Sequence, residues 1–238
     1  MKDVLEYLDE RELEFGRHLQ IAQMLEGRVN KSVEDDGTLV EIRHVNTVKS
    51  GLIIHLYNIV EAVTTRTMKV VGQTVVTEKP KDWTEAVLTE WVRAEIWNGY
   101  EPLGEGAMKK LSKAGSVLAS GANPEAFTVK GTPGSWDDDS IQKVAQRLGC
   151  PLTVPDDAKR AALEPVYLNQ MSAMRFLASR RNAIAHGATT FEDGARDQTL
   201  GDIANLAERV FPYLKSVTES YQSFLESRSF LANTGVAA

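Results

Sequence analysis

The sequence predicts an all-α protein, a helical bundle with a glycine-rich elaboration between its core helices. Apolar residues recur at helical spacing in five or more long stretches, whereas no stretch indicates a convincing β-sheet. Of the 238 residues, 42% are hydrophobic, which is enough to build a core. We therefore expect one domain over residues 1–238.

The N-terminal segment, residues 1–46, is expected to hold one helix and a loop. Apolar positions predict the helix from about Val4 to Gly27, and residues 31–38 are rich in charge and predict a loop. Residues 39–44 fit either a short strand or the lead-in to the next helix. That second helix is predicted from about Thr47 to Val71, and its apolar character on most sides indicates a central position.

Three polar residues interrupt the apolar second helix. His55, Asn58 and Glu61 are spaced by three and therefore lie along one stripe of the helix. The structural interpretation is a set of buried hydrogen bonds or a solvated edge, because buried polar groups find partners. The functional interpretation is the wall of an active-site cleft.

A third helix is predicted over residues 83–97, which contain three of the four tryptophans, here interpreted as core or dimer contacts. Residues 98–139 contain many glycines and prolines, and we expect them to form an insertion between core helices. One short helix is expected inside this insertion, at about residues 106–119.

The next helix is predicted over residues 137–149, with Asp139 or Ser140 as its N-cap and Gly149 as its stop. Ala145 followed by Gly149 also fits a helix-turn-helix, which would make the chain a DNA-binding regulator. The following segment has two prolines, an acidic start and few cations, which suit a recognition helix poorly.

The last two helices are predicted over residues 166–187 and 200–230. A polar turn at residues 191–198 joins them, and Pro212 is expected to kink the second one. Residues 232–238 are expected to be a frayed tail.

Composition excludes several kinds of site. Cys150 is the only cysteine, and the four histidines form no metal-binding pattern, so neither a metal nor a cofactor is expected. With a net charge of −6, nucleic-acid binding would need a local basic patch. No apolar run spans a membrane and the N-terminus is unlike a signal peptide, so we expect a soluble cytoplasmic protein.

The densest chemistry lies in the sequence RRNAIAHG, residues 180–187. Asn182 and His186 are four apart and share one helix face, and a histidine can serve as a general acid or base. Arg181 can bind phosphate through two donors and stabilise charge on phosphorus. These groups suit metal-free RNA cleavage. The alternative is ordinary helix capping, with the cations at the last carbonyls and Gly187 after them.

This motif, at the end of a helix of LxxMxxxRFLxxRRN type, resembles the HEPN superfamily, whose signature is R-x4–6-H with a polar residue after the arginine. Arg181, Asn182 and His186 match that signature. Residues 52–68 and 134–149 are similar to the MAE-type branch of prokaryotic toxin and defence proteins, so the resemblance covers about residues 52–230.

The resemblance implies a helical bundle that dimerises and acts as a metal-independent endoribonuclease, a toxin or defence effector. Arg181 would bind the phosphate, His186 would be acid or base, and Asn182 would orient either. Arg180 also satisfies the loose spacing, and Glu61 matches a glutamate of the family without an assigned role. The implied partners are a second copy, RNA, and an antitoxin or regulatory protein.

Some HEPN proteins are inactive interaction modules, so a non-catalytic dimerisation or partner-binding module is the alternative. Spacing adds one constraint to the catalytic hypothesis. Arg181 and His186 are five residues apart, about 140° around an ideal helix. One straight helix does not bring the two together, so we expect the site to form between two chains.

Overall fold

The computed structural model describes residues 1–29, 39–96, 104–131 and 136–232. Within these ranges the chain forms eight α-helices and no β-strand, which confirms the all-α class. The helices are α1 (Lys2–Glu26), α2 (Ile42–Val75), α3 (Glu85–Ile96), α4 (Glu105–Ser120), α5 (Asp138–Leu148), α6 (Asp156–Leu163), α7 (Ala173–Ala185) and α8 (Leu200–Glu226). Short 3-10 turns lie at Pro80–Asp82 and Leu168–Gln170.

The chain divides into two compact units. The first unit comprises residues 1–4, 64–154 and 216–238, and the second comprises residues 5–63 and 155–215. Helices α2 and α8 each contribute residues to both units. The single HEPN-like domain stays a prediction.

In the first unit, helix α3 packs against both α4 and α5. Trp83 and Trp91 meet edge to face at 5.9 Å, and the buried Glu90 carboxylate forms ion pairs with Arg93 and Arg147, each at 3.0 Å. Phe127 lies in the segment expected to be an insertion, yet it is buried and its backbone lies against α2. The described part of that segment therefore contributes at least Phe127 and Val129 to the core of this unit.

The second unit is built around the N-terminal two thirds of α2. Large apolar side chains of α2, α7 and α8 are almost fully buried there, and each stabilises the fold by about 1.5–3 kcal/mol. They include Leu52, Ile53, Leu56, Tyr57, Phe176, Leu177, Ile203 and Val210. Helix α6 packs against α7, the helix that carries the RRNAIAHG motif.

Four expectations about element ends need correction. Helix α7 begins at residue 173 instead of 166, because Asn169 and Gln170 have positive φ (57° and 58°) and Ser172 caps the helix. Helix α5 is capped by Asp137, whose side chain accepts from the Ser140 amide, and by neither residue expected for that role. Helix α2 is longer than expected at both ends, and α8 stops at residue 226.

Other expectations about the elements are confirmed. Residues 42–44 begin α2, so the lead-in was the right alternative to a strand. Gly149 ends α5 with φ of +68°. Pro212 lies inside α8, and the kink expected there stays a prediction. The charged loop at 31–38, Trp97 and most of the tail lie outside the described residues. Among the described helices, none combines the length and apolarity that crossing a bilayer demands.

Candidate active site

Helix α7 ends within the RRNAIAHG motif, and a glycine terminates it. Ala185 is its last residue, His186 is the C-cap, and Gly187 adopts the left-handed conformation with φ of +72°. The Gly187 amide donates to the Ile184 carbonyl at 3.2 Å, which satisfies one of the last carbonyls of the helix. The glycine stop therefore presents His186 at the helix end, where a cationic side chain is favoured.

The Arg181 guanidinium is held by three partners in the second unit. Its Nη2 atom lies 3.6 Å from Glu61 Oε2, and its Cζ lies 4.8 Å above the centre of the Tyr57 ring. Its Nη1 atom donates to Asn182 Oδ1 at 3.0 Å. The arginine is fixed in direction, yet about a quarter of its side chain remains exposed (26%). It can therefore both keep its orientation and reach a bound anion.

Glu61 is the residue of the polar stripe that joins the motif. Its side chain is half exposed and forms an ion pair with the arginine of α7, a contact that fits both interpretations of the stripe. Asn58 is exposed, and His55 instead contacts helix α1, where its Nδ1 lies 3.2 Å from Nδ1 of His18. The stripe thus contacts two different helices, α7 through Glu61 and α1 through His55.

His186 stands apart from the arginine cluster. Its residue is exposed, and among the described residues its side chain has no hydrogen-bond or ion-pair partner. Asn182, which shares a helix face with it, directs its Oδ1 atom to Arg181. One chain therefore brings together Arg181, Asn182 and Glu61, and it leaves His186 free to act on a group outside that cluster.

Arg180 occupies a different environment from Arg181. It forms an ion pair with Asp197, its Nη1 atom donates to the Gly194 carbonyl at 3.3 Å, and its Cζ lies 5.0 Å above the Phe176 ring. Only 21% of its side chain is exposed. These contacts tie the turn after α7 to the helix, so Arg180 has the contacts of a structural residue.

Lys49 is a residue near the motif that sequence reasoning missed. It is buried in the second unit, and its Nζ donates to the Gln198 carbonyl at 2.7 Å. Burial lowers the pKa of Lys49, while Glu26, Asp197 and Asp202 act in the opposite direction. A lone lysine at the start of an apolar helix carries no sequence signal for this contact, because its partner is a distant backbone carbonyl.

Comparisons with models of protein families, with curated proteins and with solved structures found no match to this chain.

Proposed function

We propose that this chain is a metal-independent endoribonuclease that acts as a homodimer, and that it serves as a prokaryotic toxin or defence effector. The observation that carries the proposal is that the end of one helix holds both a partly exposed arginine with three partners and an exposed histidine. An imidazole can transfer a proton and a guanidinium can stabilise charge on phosphate oxygens, and metal-free RNA cleavage requires both kinds of step.

In the proposed reaction the ribose 2′-oxygen attacks the adjacent phosphorus and the bond from phosphorus to the 5′-oxygen breaks. The 2′-hydroxyl loses a proton and the departing 5′-oxygen gains one, which leaves a 2′,3′-cyclic phosphate and a 5′-hydroxyl. His186 transfers one of these protons as acid or base, and solvent water takes up or supplies the other. Arg181 binds the phosphate oxygens and stabilises the charge that builds on them.

Asn182 and Glu61 are proposed as positioning residues. Asn182 accepts one hydrogen bond from Arg181, and Glu61 forms an ion pair with Arg181 at 3.6 Å. At that length the ion pair is looser than a direct hydrogen bond, so Arg181 keeps donors for phosphate. The two residues restrict the guanidinium to one direction, which lowers the cost of ordering it when RNA binds.

The homodimer is part of the proposal because of the helix geometry. Arg181 and His186 project about 140° apart on an ideal helix, and Arg181 is turned toward α2. A two-fold arrangement of α7 helices would set the arginine of one chain opposite the histidine of the other. Each site would then draw on both copies, and a monomer would be inactive.

The first experiment measures cleavage of single-stranded RNA and transfer RNA by purified protein in EDTA. We expect cleavage with cyclic phosphate ends, and we expect His186→Ala to lower the rate by at least about a hundredfold, the scale of acid–base catalysis. His44→Ala is the matched control, because His44 is also exposed but caps the start of α2 through the Glu41 amide. Equal activity of His186→Ala and the wild type would refute the mechanism.

A non-catalytic dimerisation or partner-binding module is the second candidate. The observation that favours it is that Arg181 already has three partners within its own chain, which is what a structural arginine needs. This candidate predicts a dimer without RNA turnover. It also predicts that expression of the wild type and of His186→Ala affects cell growth equally, whereas the ribonuclease proposal predicts that only the wild type stops growth.

A further inference from the structure

Two histidines and a glutamate converge in the second unit at a place that the proposed ribonuclease does not use. Glu14 and His18 are four residues apart on α1, so they share one helix face, and His55 faces them from α2. One ligand atom of each residue lies within 4.8 Å of the others. We propose that these three side chains bind a divalent first-row transition metal ion of the Zn²⁺ class.

The spacing of the two imidazoles fits a shared ion. Their Nδ1 atoms are 3.2 Å apart, with ring centres at 4.9 Å and planes inclined by 47°. Two nitrogens bound to one tetrahedral zinc at about 2.0–2.1 Å would be about 3.3–3.4 Å apart. Two ring nitrogens this close need either a shared proton or a bound cation between them, because their lone pairs would otherwise repel each other. A bound Zn²⁺ meets this need after small movements of the two side chains.

Glu14 supplies the negative ligand. One of its oxygens, Oε2, is paired with Arg11 Nη1, which holds the carboxylate on the side of α1 that faces His55. The second oxygen is the one proposed to bind the ion. Such an outer partner that orients a ligand is a regular feature of metal sites. A set of two histidines and one carboxylate also suits Zn²⁺ by its mixture of nitrogen and oxygen donors.

Three protein ligands leave a fourth position open. Beside the imidazoles lies an open, mainly apolar pocket of about 380 Å³. It is lined by His18, Ile21, Val48, Gly51, Leu52 and His55. Water or a small ligand in this pocket can complete a tetrahedral shell. The bound ion would also join α1 to α2, because its ligands come from both helices.

The test is a titration of tag-free, metal-free protein with Zn²⁺ alone, followed by calorimetry. We expect one ion per chain, and we expect His18→Ala and His55→Ala each to weaken binding by at least about tenfold. His44→Ala removes an exposed histidine that lies on α2 outside the cluster, and it should leave binding unchanged. Stoichiometric binding that survives in both His18→Ala and His55→Ala would overturn the proposal, as would the absence of binding in the wild type.

Two additional measurements separate ligand loss from loss of fold. Glu14→Gln keeps the volume of the side chain and removes only its charge, so it should weaken Zn²⁺ binding while the helical circular dichroism stays native. Co²⁺ serves as a second probe, because its visible absorption reports a tetrahedral nitrogen and oxygen shell. That spectrum should appear with the wild type and with His44→Ala. A spectrum that is unchanged in Glu14→Gln and His18→Ala would contradict the assignment.

The proposed metal site and the proposed ribonuclease activity are tested independently of each other. Binding of Zn²⁺ is read without RNA, and cleavage of RNA is read in EDTA. We expect Zn²⁺ to raise the melting temperature of the wild type, because an ion that binds only the folded chain stabilises it. His18→Ala should show no such rise, while its cleavage of RNA in EDTA should equal that of the wild type.

Discussion

Arg181 Nη2 lies 3.6 Å from Glu61 Oε2, which joins the motif helix α7 to the central helix α2 by an ion pair. The guanidinium also stacks over Tyr57, a buried residue one turn before Glu61. A charge pair that is half exposed contributes little to stability, about 0–1 kcal/mol, because solvent screens it. The larger effect of the ion pair is on the orientation of the guanidinium, since the pair sets the direction in which Arg181 points.

Glu61→Gln should therefore reduce catalysis more than stability. We expect the cleavage rate to fall by about tenfold through kcat, because a misdirected guanidinium loses more of its stabilisation of the transition state than of its binding to the ground state. Glu61→Asp should restore part of the rate. Steady-state kinetics with RNA in EDTA measures the change, and Asn58→Ala, on the same stripe of α2, is the control. If Glu61 had only a structural role, Glu61→Gln would lower the melting temperature and leave kcat of the folded fraction unchanged.

Arg180→Ala should instead reduce stability more than catalysis. The substitution removes the ion pair with Asp197, the hydrogen bond to Gly194 and the contact with Phe176. We expect a loss of about 1–2 kcal/mol in the free energy of unfolding, because this arginine is largely shielded from solvent. Urea denaturation measures the loss. The control is Arg196→Ala, whose ion pair with Asp193 is exposed and should contribute less than about 0.5 kcal/mol.

Gly194→Ala should disturb the turn after α7. A Cβ atom at this position would lie 2.6 Å from the side chain of Ile184 and 2.9 Å from Ser50 Oγ. We expect a loss of about 1–3 kcal/mol in unfolding free energy, the usual cost of overpacking. Gly16→Ala is the matched control, because no atom lies within 4 Å of its added Cβ inside α1. That variant should gain up to about 1 kcal/mol from helix propensity, so similar effects of the two changes would contradict the packing described here.

Cys150 should be unreactive in the native protein. Burial raises the pKa of this thiol from its ordinary value of 9.0 to about 12, and its Sγ lies 3.8 Å from the Ser220 carbonyl. A thiol reagent at pH 8 should modify it only after unfolding, because the thiolate is the reactive form. Since the folded chain holds the proton more tightly, this group stabilises the fold fully below about pH 9, and that stability is lost as pH rises from 9 to 12. Rapid modification of native protein at pH 8 would contradict this result.

Local signals in the sequence predicted the helices and several of their ends. Gly149 and Gly187 both end helices with positive φ, as a glycine after a helix indicates. The start of α7 was wrong because Val166 and Leu168 follow helical spacing, although both side chains are exposed in the structure. Spacing alone does not reveal that Asn169 and Gln170 have left-handed backbone conformations.

The candidate site was predictable in its motif and not in its contacts. The sequence shows Arg181, Asn182 and His186 together, because they are neighbours on one helix. It does not show that Glu61 faces Arg181 or that His55 faces His18, since each pair joins distant helices and depends on how these helices pack. The i, i+4 spacing of Glu14 and His18 was the available signal for the proposed metal site, and it needed His55 to become specific.

In the proposed homodimer each active site takes Arg181 from one chain and His186 from the other. Two inactive variants, Arg181→Ala and His186→Ala, can test this when their subunits are mixed and allowed to exchange. In a mixed dimer one site would lack both groups and the other would contain both. About half of the dimers would be mixed, so we predict recovery of about a quarter of the wild-type cleavage rate. If mixed dimers form and no activity returns, both residues act within one chain and the account is contradicted.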